Sequence, residues 1–259
     1  MRCCSPLKPF ELKQETILLK AGDSVDRVYF PHSGIISLVI ELSEGLAIEA
    51  AMIGRDSMLG ATSAMDGQVS LNTAIVQLGG TCETLEVSRF RKAAEQSLPL
   101  RTALLRHEQV LFAQAQQSAA CNAAHHVEAR LCRWLLRARD LSGSDTLALT
   151  QEFLAEMLGV RRSSVSPVAA ALQQAGFIRY ARGHIEIIDV AGLQKASCEC
   201  YWVVKAHYDR LLFLPCVRRL LAIVGKIPRS SSMFTFRAEN KCLPHVGPNH
   251  AGDRRGTPA

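Results

Sequence analysis

The chain has 259 residues, of which 48% are hydrophobic, and a formal net charge of +6. This length is enough for two domains with their own cores, and no apolar run approaches the roughly 20 residues of a membrane span. The N-terminus lacks the apolar segment of a secretory signal, so the sequence predicts a cytoplasmic protein without a membrane partner.

Charge is unevenly distributed along the chain. Residues 22–100 hold five basic and ten acidic residues, whereas residues 130–182 hold eight and four. Residues 213–259 hold eight and two. An acidic N-terminal segment followed by a basic segment favours nucleic-acid contact by the second half of the chain.

The nine cysteines do not indicate a disulfide framework, because their number is odd and no CxxC pair occurs. Cys3 and Cys4 are adjacent, and Cys198 and Cys200 form a CxC pair. Each pair has two interpretations: reduced, inert thiols, which is the favoured one, or a redox or metal switch.

Residues 16–87 are predicted to form an antiparallel sandwich or barrel. Short apolar or alternating runs recur there, and glycines punctuate them. Ser88 is predicted to cap a short helix over residues 89–96. The runs are residues 16–20, 25–30, 34–42, 46–54, 73–78 and 82–87.

A long helix is predicted over residues 99–140, because nothing after Pro99 in this stretch is glycine or proline. Its length favours a dimer seam, the alternative being a helix packed along its own domain. His125 and His126 would point about 100° apart on such a helix, so no metal site is predicted there. The expected packing stripe is Leu104, Leu111, Ala115, Ser118, Ala119 and Val127.

Residues 150–176 have the pattern of a helix-turn-helix. Thr150 is a suitable N-cap, Gly159 allows the positive φ that ends a first helix, and Val160 would fill the corner. A second helix would then place Arg161 and Arg162 at its start, where such a helix meets the major groove. Residues 177–188 add a two-stranded wing that turns at residues 182–183.

Pro167 conflicts with a helix that starts at this corner, because it lies beyond the first turn, where a backbone N–H is needed. Either the helix starts at the corner and bends at Pro167, which we favour, or it starts late, near Ser164 or Ser166. A last helix is predicted from Asp189 through residue 212. Residues 213–259 are predicted to be disordered.

With this pattern, residues 10–200 resemble the Crp/Fnr superfamily of bacterial transcription regulators. The most specific part of the resemblance is the stretch "LTQEFLAEMLGVRRSSVSPVAAALQQAGFIRYARGHIEIID". The resemblance implies an α+β protein with an N-terminal antiparallel β-roll (a jelly-roll of the cyclic-nucleotide-binding type), a long dimerisation helix and a C-terminal winged helix-turn-helix. The expected domains are a roll sensor at 10–99, a helix at 100–140, a DNA-binding domain at 141–212 and a basic tail at 213–259.

The effector positions depart from those of the nucleotide-binding members. Those members hold ribose and cyclic phosphate with a Gly-Glu and an Arg-Ser pair, whereas this chain has Gly60-Ala61 and Asn72-Thr73. A buried phosphate without a cation is poorly held. Residues 60, 61, 72 and 73 are therefore expected to form a degenerate effector pocket. Cys3 and Cys4 also lack the spacing of the iron–sulfur members, so no cofactor is expected.

The recognition residues also differ from many members. Arg162 lies at the first arginine position, but Ser163 replaces a glutamate and Pro167 a second arginine. The operator half-site is therefore not assumed. The residues expected to contact DNA are Thr150, Gln151, Arg161, Arg162, Ser163, Ser164, Ser166, Arg179 and Arg182.

The favoured function is a dimeric, sequence-specific regulator that binds an inverted-repeat operator in double-stranded DNA and responds to a signal other than a cyclic nucleotide. RNA polymerase is a candidate further partner. The alternative is a degenerate sensor that acts through protein contacts without reading DNA. A cupin-type enzyme is disfavoured, since His32 is the only histidine in the predicted roll, and no catalytic residue or metal ligand is assigned.

Overall fold

Two antiparallel sheets form the N-terminal roll. The computed structural model describes residues 7–43, 47–65 and 69–212. One sheet has the order β1-β7-β3 and the other β2-β6-β4-β5. The predicted runs all become strands, and β1 is an additional strand. The bounds are β1 Lys8–Leu12, β2 Ile17–Leu19, β3 Arg27–Pro31, β4 Ile35–Glu41, β5 Ala47–Ile53, β6 Thr73–Leu78 and β7 Gly80–Glu86.

Three helices follow the roll: α1 (Val87–Gln96), α2 (Leu98–Ala124) and α3 (Val127–Ser142). The prediction of Ser88 as an N-cap is wrong, because α1 starts at Val87, two residues earlier than predicted, and its N-cap is Glu86. Ser97 instead caps α2, and its hydroxyl accepts the backbone N–H of Leu100 at 3.3 Å.

The predicted single helix over residues 99–140 is wrong, because the backbone leaves the helical region between α2 and α3. His125 has φ −110° and ψ 146°, and His126 has φ −65° and ψ 153°. The backbone N–H of His125 still closes α2 on the carbonyl of Cys121 at 3.0 Å. No glycine or proline marks this break, so the helical pattern of the sequence runs through it.

The C-terminal part is a winged helix-turn-helix with two further helices. It contains β8 (Thr146–Ala148), α4 (Gln151–Leu158), α5 (Arg162–Gln174), β9 (Ile178–Ala181), β10 (His184–Ile187), α6 (Val190–Ala196) and α7 (Cys200–Leu211). The wing is a three-stranded sheet of order β8-β10-β9, so β8 adds a strand to the predicted pair. The single last helix is also wrong, because residues 197–199 separate α6 from α7.

Close approaches join the roll to the helices that follow it. A Cβ built on Gly54, just after β5, would lie 2.8 Å from the side chain of Leu141 on α3. A Cβ on Gly159 would lie 3.1 Å from Ile48 of β5. One hydrophobic core accordingly spans both parts and combines roll residues such as Ile35 with α3 residues such as Trp134.

The exposed apolar face of α2 is not formed by the predicted packing stripe. Leu104 and Ser118 of that stripe are buried in the protomer. Leu98, Leu105 and Phe112 instead leave 65–69% of their surface exposed, and they follow one another at intervals of seven residues.

Among the described residues, no helix is both long and apolar enough to cross a membrane. The disorder predicted for residues 213–259 lies outside the described residues.

Candidate DNA-binding interface

The helix-turn-helix is built by local signals that the sequence displays. The hydroxyl of Thr150 accepts the backbone N–H of Phe153 at 3.2 Å, which caps α4 as predicted. Gly159 ends α4 with φ 60°. The next N–H, on Val160, returns to the carbonyl of Ala155 at 3.0 Å, which closes the corner before α5.

Helix α5 starts at the corner, with Arg161 as N-cap and Arg162 as its first residue. The late start near Ser164 or Ser166 is therefore wrong. Pro167 lies inside α5, so the helix has no N–H to offer the carbonyl of Ser163. The hydroxyl of Ser166 lies 3.3 Å from the neighbouring carbonyl of Arg162.

The start of α5 is exposed at Arg161, Arg162, Ser163 and Ser164. Arg162 forms an ion pair with Glu152 of α4 at 3.2 Å, and both side chains are mostly in solvent. An exposed pair of this kind contributes at most about 1 kcal/mol, so a phosphate or guanine could replace the carboxylate.

Ser166 has a different role from its exposed neighbours. Its hydroxyl lies 2.6 Å from the side-chain carbonyl oxygen of Gln151, to which it donates. This bond ties the start of α4 to α5. Ser166 and Gln151 were predicted to contact DNA, and the structure pairs them with each other.

The wing turns where predicted. Arg182 has φ 50° and Gly183 φ 78°, the two positive values of a two-residue hairpin turn. Arg182 is exposed at the tip, and Arg179 pairs with Glu186 across the hairpin at 2.6 Å. The wing thus presents one guanidinium at its tip and one already neutralised in part by a carboxylate.

The surface is less basic than the residue count suggests. Three of the eight basic residues of the segment 130–182 are buried: Arg130, Arg133 and Arg137 are 6%, 9% and 7% exposed. The exposed arginines Arg161, Arg162, Arg179 and Arg182 lie at the start of α5 and on the wing. The count of charges therefore overstated the surface charge of this segment.

Two of the predicted effector positions, Gly60 and Ala61, lie between β5 and β6, and the other two, Asn72 and Thr73, lie at the start of β6. Ala61 is 1% exposed and packs in the apolar core of the roll. The hydroxyl of Thr73 accepts the backbone N–H of Ala21 at 3.3 Å, and the carbonyl of Asn72 accepts the hydroxyl of Ser70 at 2.7 Å. Residues 57–82 contain no lysine or arginine, so this segment offers a phosphate no cation.

A buried polar contact joins the roll to α3. The indole N–H of Trp134 donates to a carboxyl oxygen of Glu49 on β5 at 2.9 Å, and Ser37 of β4 donates to the other oxygen. Burial raises the pKa of Glu49 to about 7, although these hydrogen bonds and the charges of Arg133 and Arg137 oppose the shift. The carboxyl is thus poised to be neutral at slightly acidic pH.

A second buried contact lies next to it. Arg137 of α3 pairs with Asp56 at 2.9 Å and stacks on the ring of Tyr208 at 4.1 Å from its centroid. The hydroxyl of Tyr208 then donates to Gln114 of α2 at 2.7 Å. One arginine therefore connects a roll loop, α3, α7 and α2.

Sequence reasoning raised Cys198 and Cys200 as a possible redox or metal pair but did not join them to Cys121 and His125. Three thiols and one imidazole, from Cys121, His125, Cys198 and Cys200, lie together beside the break between α2 and α3. Their separation in the sequence hid them, because Cys121 and Cys198 are 77 positions apart. The break at His125 also removes the helical geometry on which the argument against a metal ligand depended.

Comparison with protein families gives two matches. Residues 9–97 match a cyclic nucleotide-binding domain, and residues 129–196 match a Crp-like helix-turn-helix domain. No curated protein sequence matches the chain.

Solved structures share the fold. FixK2 from Bradyrhizobium japonicum superposes with a TM-score of 0.64 and 16% identity over 74% of this chain and 98% of its own. TTHA1359, a CRP/FNR family transcriptional regulator from Thermus thermophilus, gives 0.60 and 22% over 73% and 98%. The c-di-GMP responsive regulator CLP from Xanthomonas campestris gives 0.56 and 16% over 71% and 94%. At these identities the likeness shows the fold alone.

Proposed function

Because the chain belongs to the Crp/Fnr superfamily of transcription regulators, we propose that it is a dimeric, sequence-specific DNA-binding regulator whose signal is not a cyclic nucleotide. The observation that carries this proposal is the exposed start of α5, where Arg161 and Arg162 follow a correctly capped helix and a glycine corner. It acts in the cytoplasm by binding rather than by catalysis, and RNA polymerase is a candidate partner at the promoter.

The proposed DNA contacts divide by element. Arg161, Arg162, Ser163 and Ser164 at the start of α5 contact base edges and nearby phosphates, while Thr150, Arg179 and Arg182 contact the backbone. Gln151 and Ser166 act as a pair, because the hydrogen bond between them fixes α5 against α4. Pro167 offers no donor, so base contacts are confined to the N-terminal side of it.

Dimerisation is supported by the exposed face of α2. Leu98, Leu105 and Phe112 recur every seven residues, which is the spacing of a coiled-coil seam. Large apolar side chains exposed in a row along one helix mark an interaction surface. A two-fold dimer along this seam presents two α5 helices, which fits an inverted-repeat operator.

The DNA-binding proposal is tested by a mobility-shift assay with the DNA upstream of the protein's own gene. We expect a shift that unlabelled specific DNA abolishes and that random DNA does not. Genome-wide mapping of bound sites would then yield the operator. Binding that random DNA competes away equally well would refute sequence-specific reading.

The signal proposal rests on the missing charges at Ala61 and Asn72 and on the absence of any lysine or arginine in residues 57–82. We expect calorimetry to detect no micromolar binding of cAMP or cGMP. Because CLP is described as responsive to c-di-GMP, that dinucleotide belongs in the same titration. Micromolar binding of cAMP or cGMP would overturn this part of the proposal and leave DNA binding intact.

The second candidate function is a sensor that acts through protein contacts without reading DNA. Pro167 favours it, because it occupies the position where many members carry a second base-reading arginine. Under this alternative no DNA sequence is preferred in the mobility-shift assay, while the dimer still forms.

A further inference from the structure

Four side chains with metal-binding atoms converge beside the break between α2 and α3. Their four ligand atoms all lie within 4.8 Å of one another, and the three thiols are buried. The Cys3His cluster, as we call it, consists of Cys121, His125, Cys198 and Cys200. We propose that the Cys3His cluster binds one zinc ion through three sulfurs and one imidazole nitrogen.

The distances within the cluster fit one tetrahedral ion. Zinc bonds of about 2.3 Å to sulfur and 2.0–2.1 Å to nitrogen imply separations of about 3.8 Å between two sulfurs and 3.6 Å between sulfur and nitrogen. The sulfurs of Cys121 and Cys198 lie 3.6 Å apart, and the Cys200 sulfur lies 3.5 Å from Nδ1 of His125. An iron–sulfur cluster distributes its ligands over several irons and would hold them farther apart.

Polar groups that contact the ligands hold them in place, as such groups do in known zinc sites. Nε2 of His125 lies 3.2 Å from a carboxylate oxygen of Glu199, which leaves Nδ1 free to face the thiols. The side-chain amide of Gln117 donates to the sulfur of Cys200 at 3.0 Å. A carboxylate behind a ligating histidine fixes its tautomer, and an amide donor stabilises a thiolate.

Two buried guanidinium groups supply the charge that three thiolates require. Arg130 and Arg133 are 6% and 9% exposed, and neither forms an ion pair with a carboxylate among the described residues. The Nε atom of each lacks a hydrogen-bond partner within the same residues. Buried cations need nearby anions; the charge of Arg133 already acts on the carboxyl of Glu49, and a zinc ion with three thiolates adds a net charge of −1.

Zinc binds the three sulfurs of the cluster as thiolates. Any thiol that still carries its proton releases it to solvent when the ion binds. His125 has 24% of its side chain exposed, which provides an entry path for the ion.

The ligands come from four places: the last turn of α2 (Cys121), the break itself (His125), the turn between α6 and α7 (Cys198) and the first residue of α7 (Cys200). A bound ion therefore ties α2, which carries the proposed dimer seam, to α6 and α7, which follow the helix-turn-helix. We infer that loss of the ion weakens operator binding. This second step rests on the proposed function, whereas the metal site itself does not.

The metal site is tested in the full chain with the four cysteines outside the described residues replaced by serine. These are Cys3, Cys4, Cys216 and Cys242. The reduced protein is stripped with a chelator and titrated with Co²⁺ and with Zn²⁺. We expect one ion per chain, with the visible absorption of tetrahedral cobalt and thiolate-to-cobalt charge-transfer bands, which zinc then displaces.

Three variants locate the ion in this background. Cys198→Ser should abolish stoichiometric binding. Glu199→Gln, which changes an exposed side chain and keeps every ligand, should weaken the affinity for Zn²⁺ about ten-fold. Cys132→Ser, at a buried thiol outside the cluster, is the matched control and should retain one ion per chain. If Cys132→Ser fails to fold, Cys82→Ser replaces it.

Several results would overturn the site: no uptake of either ion by the reduced chain, unchanged uptake by Cys198→Ser, an iron–sulfur spectrum in the isolated protein, or a Cys121–Cys198 disulfide that resists mild reduction. The regulatory step is measured separately, as operator binding by stripped and reloaded protein. Equal affinities would refute that step alone, and a protein that binds no DNA in either state would refute the proposed function without touching the metal site.

Discussion

Glu49→Gln is the sharpest test of the contact between the roll and α3. The carboxyl of Glu49 accepts the indole N–H of Trp134 and the hydroxyl of Ser37 in a buried site, and burial raises its pKa to about 7 from 4.5. Glutamine has nearly the shape of the protonated acid. Its oxygen accepts from Trp134, and its NH2 group can donate to the hydroxyl of Ser37.

The magnitude follows from the shift in pKa. Each pKa unit corresponds to ~1.4 kcal/mol, so keeping Glu49 charged in the fold costs about 3 kcal/mol. Because the folded pKa exceeds the unfolded one, the favourable contribution is complete below pH 4.5 and is lost as the pH rises to about 7. Glu49→Gln should match the parent near pH 4.5 and exceed it by about 3 kcal/mol above pH 7.5.

The assay is urea unfolding of parent and variant followed by tryptophan fluorescence, at one fixed protein concentration, from pH 4.5 to 8.5. Taking the difference between the two proteins at each pH cancels the titration of every other group. Glu11→Gln, at an exposed glutamate of β1, serves as the control for exchanging a carboxylate for an amide. A difference for Glu49→Gln that does not change with pH would show that the buried carboxyl does not bind its proton in the fold.

Three further changes test the interface, α5 and the dimer seam. Arg162→Ala should weaken operator binding by about 1–3 kcal/mol and relax selectivity at one base pair; equal losses on operator and random DNA, measured by fluorescence anisotropy, would show that Arg162 contacts only phosphate. Pro167→Ala should raise the thermal midpoint and stabilise the protein by up to about 3 kcal/mol, because it restores an N–H to the carbonyl of Ser163; a lower midpoint would show that the proline suits the native backbone. Phe112→Arg should convert the dimer to a monomer in light scattering, whereas Leu71→Arg, at a residue 85% exposed on the roll, should leave the dimer intact; a Phe112→Arg dimer would place the seam elsewhere.

The helix-turn-helix could be predicted because its determinants are local. A capping threonine, a glycine at the corner and two positive-φ positions at residues 182–183 each act within a few residues. The strands of the roll were also visible as alternating runs. Where local signals and tertiary contacts favour the same structure, sequence patterns are enough to predict an element.

The rest depends on contacts between distant residues. The break at His125 has no glycine or proline, and in the fold it coincides with contacts to Cys200 and Glu199, which lie about 75 positions away. Likewise, nothing in the sequence separates buried Arg133 from exposed Arg162. Whether a charge belongs to the surface or to a core is decided only when the domains pack.

The approach of Gly54 to Leu141 offers a test of the proposed response to a signal. A regulator of this family needs at least two arrangements of roll and DNA-binding domain that differ in free energy by only a few kcal/mol. In the arrangement described here, Gly54 leaves no room for even one methyl group against α3. The substitution Gly54→Ala would therefore destabilise this arrangement, because the added methyl group would clash with Leu141. The resulting shift in population would reveal, without knowledge of the effector, whether this arrangement is the active or the silent one.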